Sequence, residues 1–245
     1  MDTKALEKFA QAARRQLHDQ VAARLQRVLT TDSAELRGQA EAVKQLRTVV
    51  VASQAAIVER VAYTWFNRFC ALRYMDVNHY TRMGTVSPAE GFTQPEILQE
   101  AKQGHIDDDL PVDRERVLGL LGGRLPSRDP QQEAYRLLVV ASCNQLHAVM
   151  PFLFEPIADY TELLMPEDLL SEGSVLQAVC DAMTPEACQD VEVIGWLYQF
   201  YISEKKDAVI GAKQPIAAED IPAATQLFTP HWIVRYLVEN SLGRL

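Results

Sequence analysis

The sequence is short of glycine, of close-spaced cysteine pairs and of long apolar runs, and each shortage removes a class of protein. Glycine is sparse at 11 of 245 residues, strand-like alternation is hard to find, and apolar residues recur at helical spacing. An all-α fold is therefore expected. Cys70, Cys143, Cys180 and Cys188 show no paired close spacing, which fits reduced thiols and a cytoplasmic setting. No stretch is apolar for long enough to span a bilayer and the N-terminus has no signal-peptide layout, so no membrane association is expected. What is present is ample core material, 48% hydrophobic residues, which argues against disorder.

A net charge of −9 argues against this chain acting alone as a non-specific DNA binder. The charge is unevenly spread. Residues 1–75 hold twelve basic and seven acidic side chains, against twelve and twenty-six in the rest, so a basic leading arm could face nucleic acid. A solvated helix face is the simpler account of the same residues.

In chain order, Leu6, Phe9, Ala13, Leu17, Val21, Leu25 and Val28 step by three and four, predicting a helix from about Thr3 to Leu29. Asp32 with Glu35 resembles a capping box for a second helix through Leu36 and Leu46, forming a hairpin with the first. Ser53 caps a third, with Ile57, Val61, Trp65, Phe66, Phe69, Leu72 and Met75 inside; it is expected at the centre of the domain. Spacing by three and four makes these aromatics core rather than a base-stacking platform. After a loop over 76–94, Thr93 and Glu96 predict a capped short helix that Gly104 stops. Short helices follow around 114–121, 130–150, 166–170 and 174–183. A last one over 194–201 is expected to stop among Ser203, Glu204, Lys205 and Lys206.

Several residues invite chemistry. Arg68 and Arg73 sit on the most buried helix, where a cation needs a carboxylate or phosphate partner. Cys143 and His147 lie four apart on one helix face, yet no second pair completes a metal site. Asp107, Asp108 and Asp109 read as a solvated acidic turn without further oxygen ligands. Gly119, Gly122 and Gly123 read as a helix end rather than a phosphate loop. No metal site and no catalytic residue is expected.

Near the end, residues 225–243 read TQLFTPHWIVRYLVENSLG. Thr229 is a good N-cap, Pro230 fits the first helical position, and Trp232, Ile233, Tyr236, Leu237 and Leu242 form an apolar stripe. Gln226-Leu227-Phe228-Thr229-Pro230 before an aliphatic helix resembles the segment that opens the catalytic core of many N6-adenine DNA methyltransferases. Four further blocks, over 62–68, 71–76, 91–98 and 190–201, extend the likeness. Together they resemble one family, the adenine-specific DNA methyltransferases of BREX phage-defence systems, often called PglX.

That resemblance implies a role in marking host DNA with S-adenosyl-L-methionine as methyl donor. Its implied partners are double-stranded DNA and other BREX proteins. It assigns Phe228, Thr229 and Pro230 to one wall of the cofactor site, where free amides and the positive end of a helix dipole suit a carboxylate. The family's glycine-rich cofactor loop and its Asn-Pro-Pro-Tyr motif, which holds the flipped adenine, do not occur in the sequence, so the chain itself is not expected to methylate. The expected organisation is a helical N-terminal domain over 1–210, a linker over 211–228, and over 229–245 the opening helix of an α/β methyltransferase core that lies outside the sequence. The alternative is a non-catalytic helical module that binds DNA or another defence protein.

Overall fold

The most apolar helix of the N-terminal half becomes the centre of the molecule. Ser53, in extended backbone, accepts the amide of Ala56 at 3.1 Å and so satisfies an orphan donor at the start of α4, Gln54–Val77. Trp65, Phe66, Phe69 and Leu72 of α4 are essentially inaccessible to solvent. Burial of each such side chain contributes about 2 kcal/mol. The structure, a computed structural model, describes residues 3–31, 33–151, 154–155, 160–212, 215–216, 220–225, 229 and 231–244. Among these residues every regular element is helical, with one isolated bridge between Pro88 and Pro95.

Helix α1, Thr3–Thr30, buries the stripe expected of it, Leu6, Ala13, Leu17, Val21, Leu25 and Val28. It packs along α4, α9 (Val175–Ala182) and α10 (Val193–Gly211). The aromatic rings fill the seam. Phe66 lies 4.5 Å from Tyr201 between ring centroids, and Tyr63 sits between Tyr198 and Tyr201. Trp65 is fully buried and its indole N–H donates to the carbonyl of Thr161 at 3.0 Å. These rings are core, with no face left for a base.

A second group, α5 (Glu96–Lys102), α6 (Arg114–Leu121) and α7 (Pro130–His147), packs mutually at the side of this bundle. Asp129 caps α7 by accepting the Gln132 amide, with Pro130 in its first turn. Between the groups, α2 (Ala34–Gly38) and α3 (Ala40–Val50) are separated by a break at Gln39, and α3 meets α8 (Tyr160–Leu163) and α4. The second helix is thus broken, and α3 finds its partners there rather than in a hairpin along α1.

Several expectations are corrected by tertiary contacts. The capping-box residue Asp32 lies outside the described residues; Ser33 is the cap of α2 and accepts the Leu36 amide at 3.2 Å. The Thr93 and Glu96 box does not form. Pro95 occupies the cap position, and the Glu96 carboxylate instead accepts the Gly84 amide at 2.7 Å. Residues 166–170 form no helix, because Asp168 turns back to accept the amides of Leu170 and Ser171 while Gln132 grips Leu169 and Asp168. Helix α10 does not stop at Ser203 but runs to Gly211. Its charged residues are held by partners, Glu204 by Arg14 and Arg15 of α1 and Lys205 by Asp220.

Past α10 the described residues include α11 (Ile221–Thr225), which packs on α10, and α12 (His231–Asn240). No residue of α12 is buried; Trp232, Tyr236 and Leu237 are more than half exposed.

Candidate functional site

The cofactor wall expected from sequence is only partly visible. Phe228 and Pro230 lie outside the described residues. Thr229 is exposed and lies two positions before the first residue of α12. The amides of the first turn of α12 have no partner within the helix, as at any helix start. Exposed His231 and Trp232 leave that turn open to solvent. The stripe of α12 lies equally open, while Arg235 and Glu239 pair along the helix at 2.7 Å.

Arg68 and Arg73, the cations expected to meet a carboxylate or a phosphate, point inward to backbone carbonyls. Arg68 is buried, donates to the carbonyl of Glu155 at 2.8 Å and stacks over the Trp65 ring. Arg73 donates to the carbonyl of Met183 at 3.0 Å and to the Ser87 hydroxyl at 2.7 Å. A carbonyl is a weaker partner than a carboxylate, since it accepts through a partial rather than a full charge. Both residues tie segments distant in sequence to α4, and neither is presented to a DNA backbone.

Sequence reasoning missed the anchor beside them. Asp76, in the last turn of α4, is buried, and its carboxylate accepts the amides of Thr85, Val86 and Ser87. Burial raises its pKa above the ordinary carboxylate value, and those three hydrogen bonds pull the other way. His79, at φ 56°, turns the chain sharply just after α4. The signal in the sequence is slight, since an Asp at a helix end ordinarily reads as solvated.

The 80–86 and 105–110 loops and the second half of α7 enclose a cleft of about 320 Å³ with an apolar floor that includes Met83, Leu110 and Leu138. At its rim Arg82 lies 3.7 Å from both Asp107 and Asp109, and Asp108 pairs with Arg114. Arginines therefore match this acidic turn.

The cysteines supply no nucleophile. Burial pushes Cys143 up to about 12 and Cys180 to about 11, and raises Cys70 further. A thiolate is scarce under such conditions. His147 lies within 2.8 Å of the Phe154 carbonyl through Nδ1, which fixes the proton on that nitrogen. Cys143 is nearly wholly buried.

No family model matches the chain. Two curated relatives do. The adenine-specific methyltransferase BrxX of Escherichia coli O9:H4 (strain HS) is 48% identical over 192 residues, 77% of this chain and 15% of the relative. The adenine-specific methyltransferase PglX of Lacticaseibacillus casei (strain Zhang) is 35% identical across 100% of this chain and 23% of its own length. The chain spans less than a quarter of either relative. Similarity that runs the whole length of the chain places the helical body, and not merely its last helix, within that lineage: the chain belongs to the PglX family of BREX adenine-specific methyltransferases.

Proposed function

We propose that this chain is the helical N-terminal part of an adenine-N6 DNA methyltransferase that marks host DNA in BREX phage defence. The observation that carries the reading is the similarity to PglX across the entire chain. The substrate of the whole enzyme is double-stranded DNA, its methyl donor S-adenosyl-L-methionine, and its setting the cytoplasm where host DNA lies. Other BREX proteins are its further partners.

In this reading the division is a helical domain over 1–210, a linker over 211–228 and the opening helix of the catalytic core over 229–245. Phe228, Thr229 and Pro230 form one wall of the cofactor site. The open first turn of α12 fits an anionic group, because unpaired amides and the positive end of the helix dipole both favour a carboxylate. The cofactor supplies the methyl group. What this chain supplies is orientation: Thr229 and the amides after it hold the carboxylate end, and the apolar stripe of α12 seats the helix in its core. Adenine N6 transfer depends mainly on such positioning once the base is out of the stack.

Calorimetric titration of S-adenosyl-L-methionine into the 245-residue chain and into the full-length gene product tests this. Saturable binding only to the full-length protein, with N6-methyladenine appearing in treated duplex, is the expected result. Saturable binding to the 245-residue chain, or a full-length protein that leaves DNA unmethylated, overturns it.

A further inference from the structure

The cleft beside α7 takes no part in the proposed methyl transfer. Its floor is apolar, with Leu110 and Leu138 buried and Met83 and Ile106 half-buried. At about 320 Å³ it lies at the small end of ligand pockets, which run from about 300 to 1,000 Å³. That is room for one or two large side chains rather than for a dinucleotide. Two apolar residues stand out from its edge instead of closing over it. Tyr80 is 66% exposed and Val149 76%, and both line the cleft. Arg82 stands beside Tyr80 at the mouth, and tyrosine and arginine are the residue types enriched where proteins meet.

Charge at the mouth selects among partners. Asp107 and Asp109 share one cation, Arg82, which lies 3.7 Å from each, beyond the roughly 3.2 Å reach of an N–H···O hydrogen bond. The match between Arg82 and the acidic turn is therefore loose. Asp108 is held more closely, by Arg114 at 2.7 Å, and His105 lies 3.1 Å from Glu100. Two carboxylates facing one guanidinium leave a negative surplus on the turn, and the negative face of the Tyr80 ring also favours a cation. The same carboxylates repel a phosphate backbone. Lysine and arginine suit both parts of the cleft, because an apolar stem carries their charged head.

Arg82 opposes such a guest by like charge. Its side chain is largely in solvent and is held only at long range, so moving aside costs little.

We infer that this cleft docks a segment of a protein partner in which a large apolar side chain stands next to lysine or arginine. The apolar side chain fills the floor over Leu110 and Leu138, and the cation meets Asp107, Asp109 and the Tyr80 ring. The inference stands whether or not the full-length gene product methylates DNA.

The test is titration of two short blocked peptides into the isotope-labelled 245-residue chain, followed by amide chemical shifts. One peptide reads Lys-Leu-Phe-Lys and the other Glu-Leu-Phe-Glu, so the apolar pair is constant and only the charge differs. A site for one or two side chains should hold the basic peptide with a Kd of about 1 mM. Saturable shifts centred on the cleft residues 80–85, 105–110 and 138–149, with the acidic peptide weaker by about ten-fold or more, are expected. In the variant Asp107→Asn, Asp109→Asn the basic peptide should bind about ten-fold more weakly and the preference between the two peptides should vanish. Asp207→Asn, at an exposed position of α10, controls for overall charge and should change neither affinity. If the double variant melts earlier than wild type, Asp109→Asn alone at its exposed position repeats the comparison with a loss of about three-fold. No saturation at about ten times the expected Kd, shifts centred elsewhere, an acidic peptide bound as tightly as the basic one, or a preference that survives loss of the carboxylates overturns the proposal. So does a duplex oligonucleotide that shifts the same amides, which would make the cleft a nucleic-acid contact.

Discussion

The hydroxyl of Tyr135 donates to the carbonyl of Thr85 at 3.0 Å, while the amide of Thr85 donates to Asp76 at 3.0 Å. One peptide segment is therefore clamped from α7 on one side and from α4 on the other. Cys180 of α9 reaches the next carbonyl, that of Val86, at 3.5 Å. Three helices converge on this stretch of loop, which explains why a segment with no periodicity is nonetheless buried at Thr85 and Val86.

Removing the acceptor should be costly. In Asp76→Ala three amides lose their partner in a buried site, at about 1–3 kcal/mol each if none is rehydrated, so a loss of about 3 kcal/mol or more is expected in urea denaturation. Asp76→Asn keeps one side-chain oxygen and should lose less. The pH dependence has a definite sign. Because burial raises the folded pKa of Asp76 above its ordinary value, its protonated form is favoured by the fold. That contribution is complete below the ordinary carboxylate pKa and is lost as pH rises through the folded one. The stability advantage of wild type over Asp76→Asn should therefore shrink as pH rises across that window. An advantage that grew with pH would show that the three amides outweigh desolvation.

Arg68 offers a test of inward against outward arginine. Arg68→Ala removes a charge-assisted hydrogen bond to the Glu155 carbonyl, the stacking on Trp65 and buried volume, and should destabilise by about 2–4 kcal/mol. Duplex affinity, measured at a temperature where the variant is folded, should match wild type. A reduced salt slope for this variant would place Arg68 on the DNA instead.

What could be read from the sequence was local. Ser53 caps its helix as expected, and Asp129 and Ser174 start helices that are expected near them, because the cap bond reaches only three residues on. The stripe of α1 is legible for the same reason: helical spacing alone decides which side is buried. Glu96, Asp168 and Ser203 were misleading because each met a partner, or kept its helix going, through contacts the local pattern does not encode. Arg68 and Arg73 show the limit for the site, since burial correctly predicted that they need partners while the nature of those partners depended on loops far along the chain. Phe228 and Pro230 fall outside the described residues, so their reading as a cofactor wall still rests on the family resemblance.

The thiols should be slow. With Cys143 held near 12, its thiolate at pH 8 is about a thousandfold scarcer than that of a free cysteine, and burial blocks the reagent as well. Reaction with Ellman's reagent should release little colour from the native chain and four equivalents, one for each cysteine, once denaturant is added. Cys180, the most accessible of the four, should react first. Rapid native labelling of Cys143 would mean that the core around α7 opens readily.

Helix α12 should govern association and not stability. None of its residues is buried, so substitutions at its most exposed positions should remove little folded-state contact with the helical body. Meanwhile Trp232, Tyr236 and Leu237 expose apolar side chains over about one and a half turns, and an exposed patch of that kind favours self-association. Replacing Trp232 and Leu237 with Asp should leave the melting temperature within about 2 °C, the shift expected of exposed positions that change stability by less than about 0.5 kcal/mol. The same variant should lower the concentration-dependent mass seen by light scattering. In the full-length gene product the outcome should reverse, because a stripe seated in the catalytic core is a buried one, and two carboxylates there would lower stability by several kcal/mol. Equal tolerance in both proteins would show that α12 packs against neither.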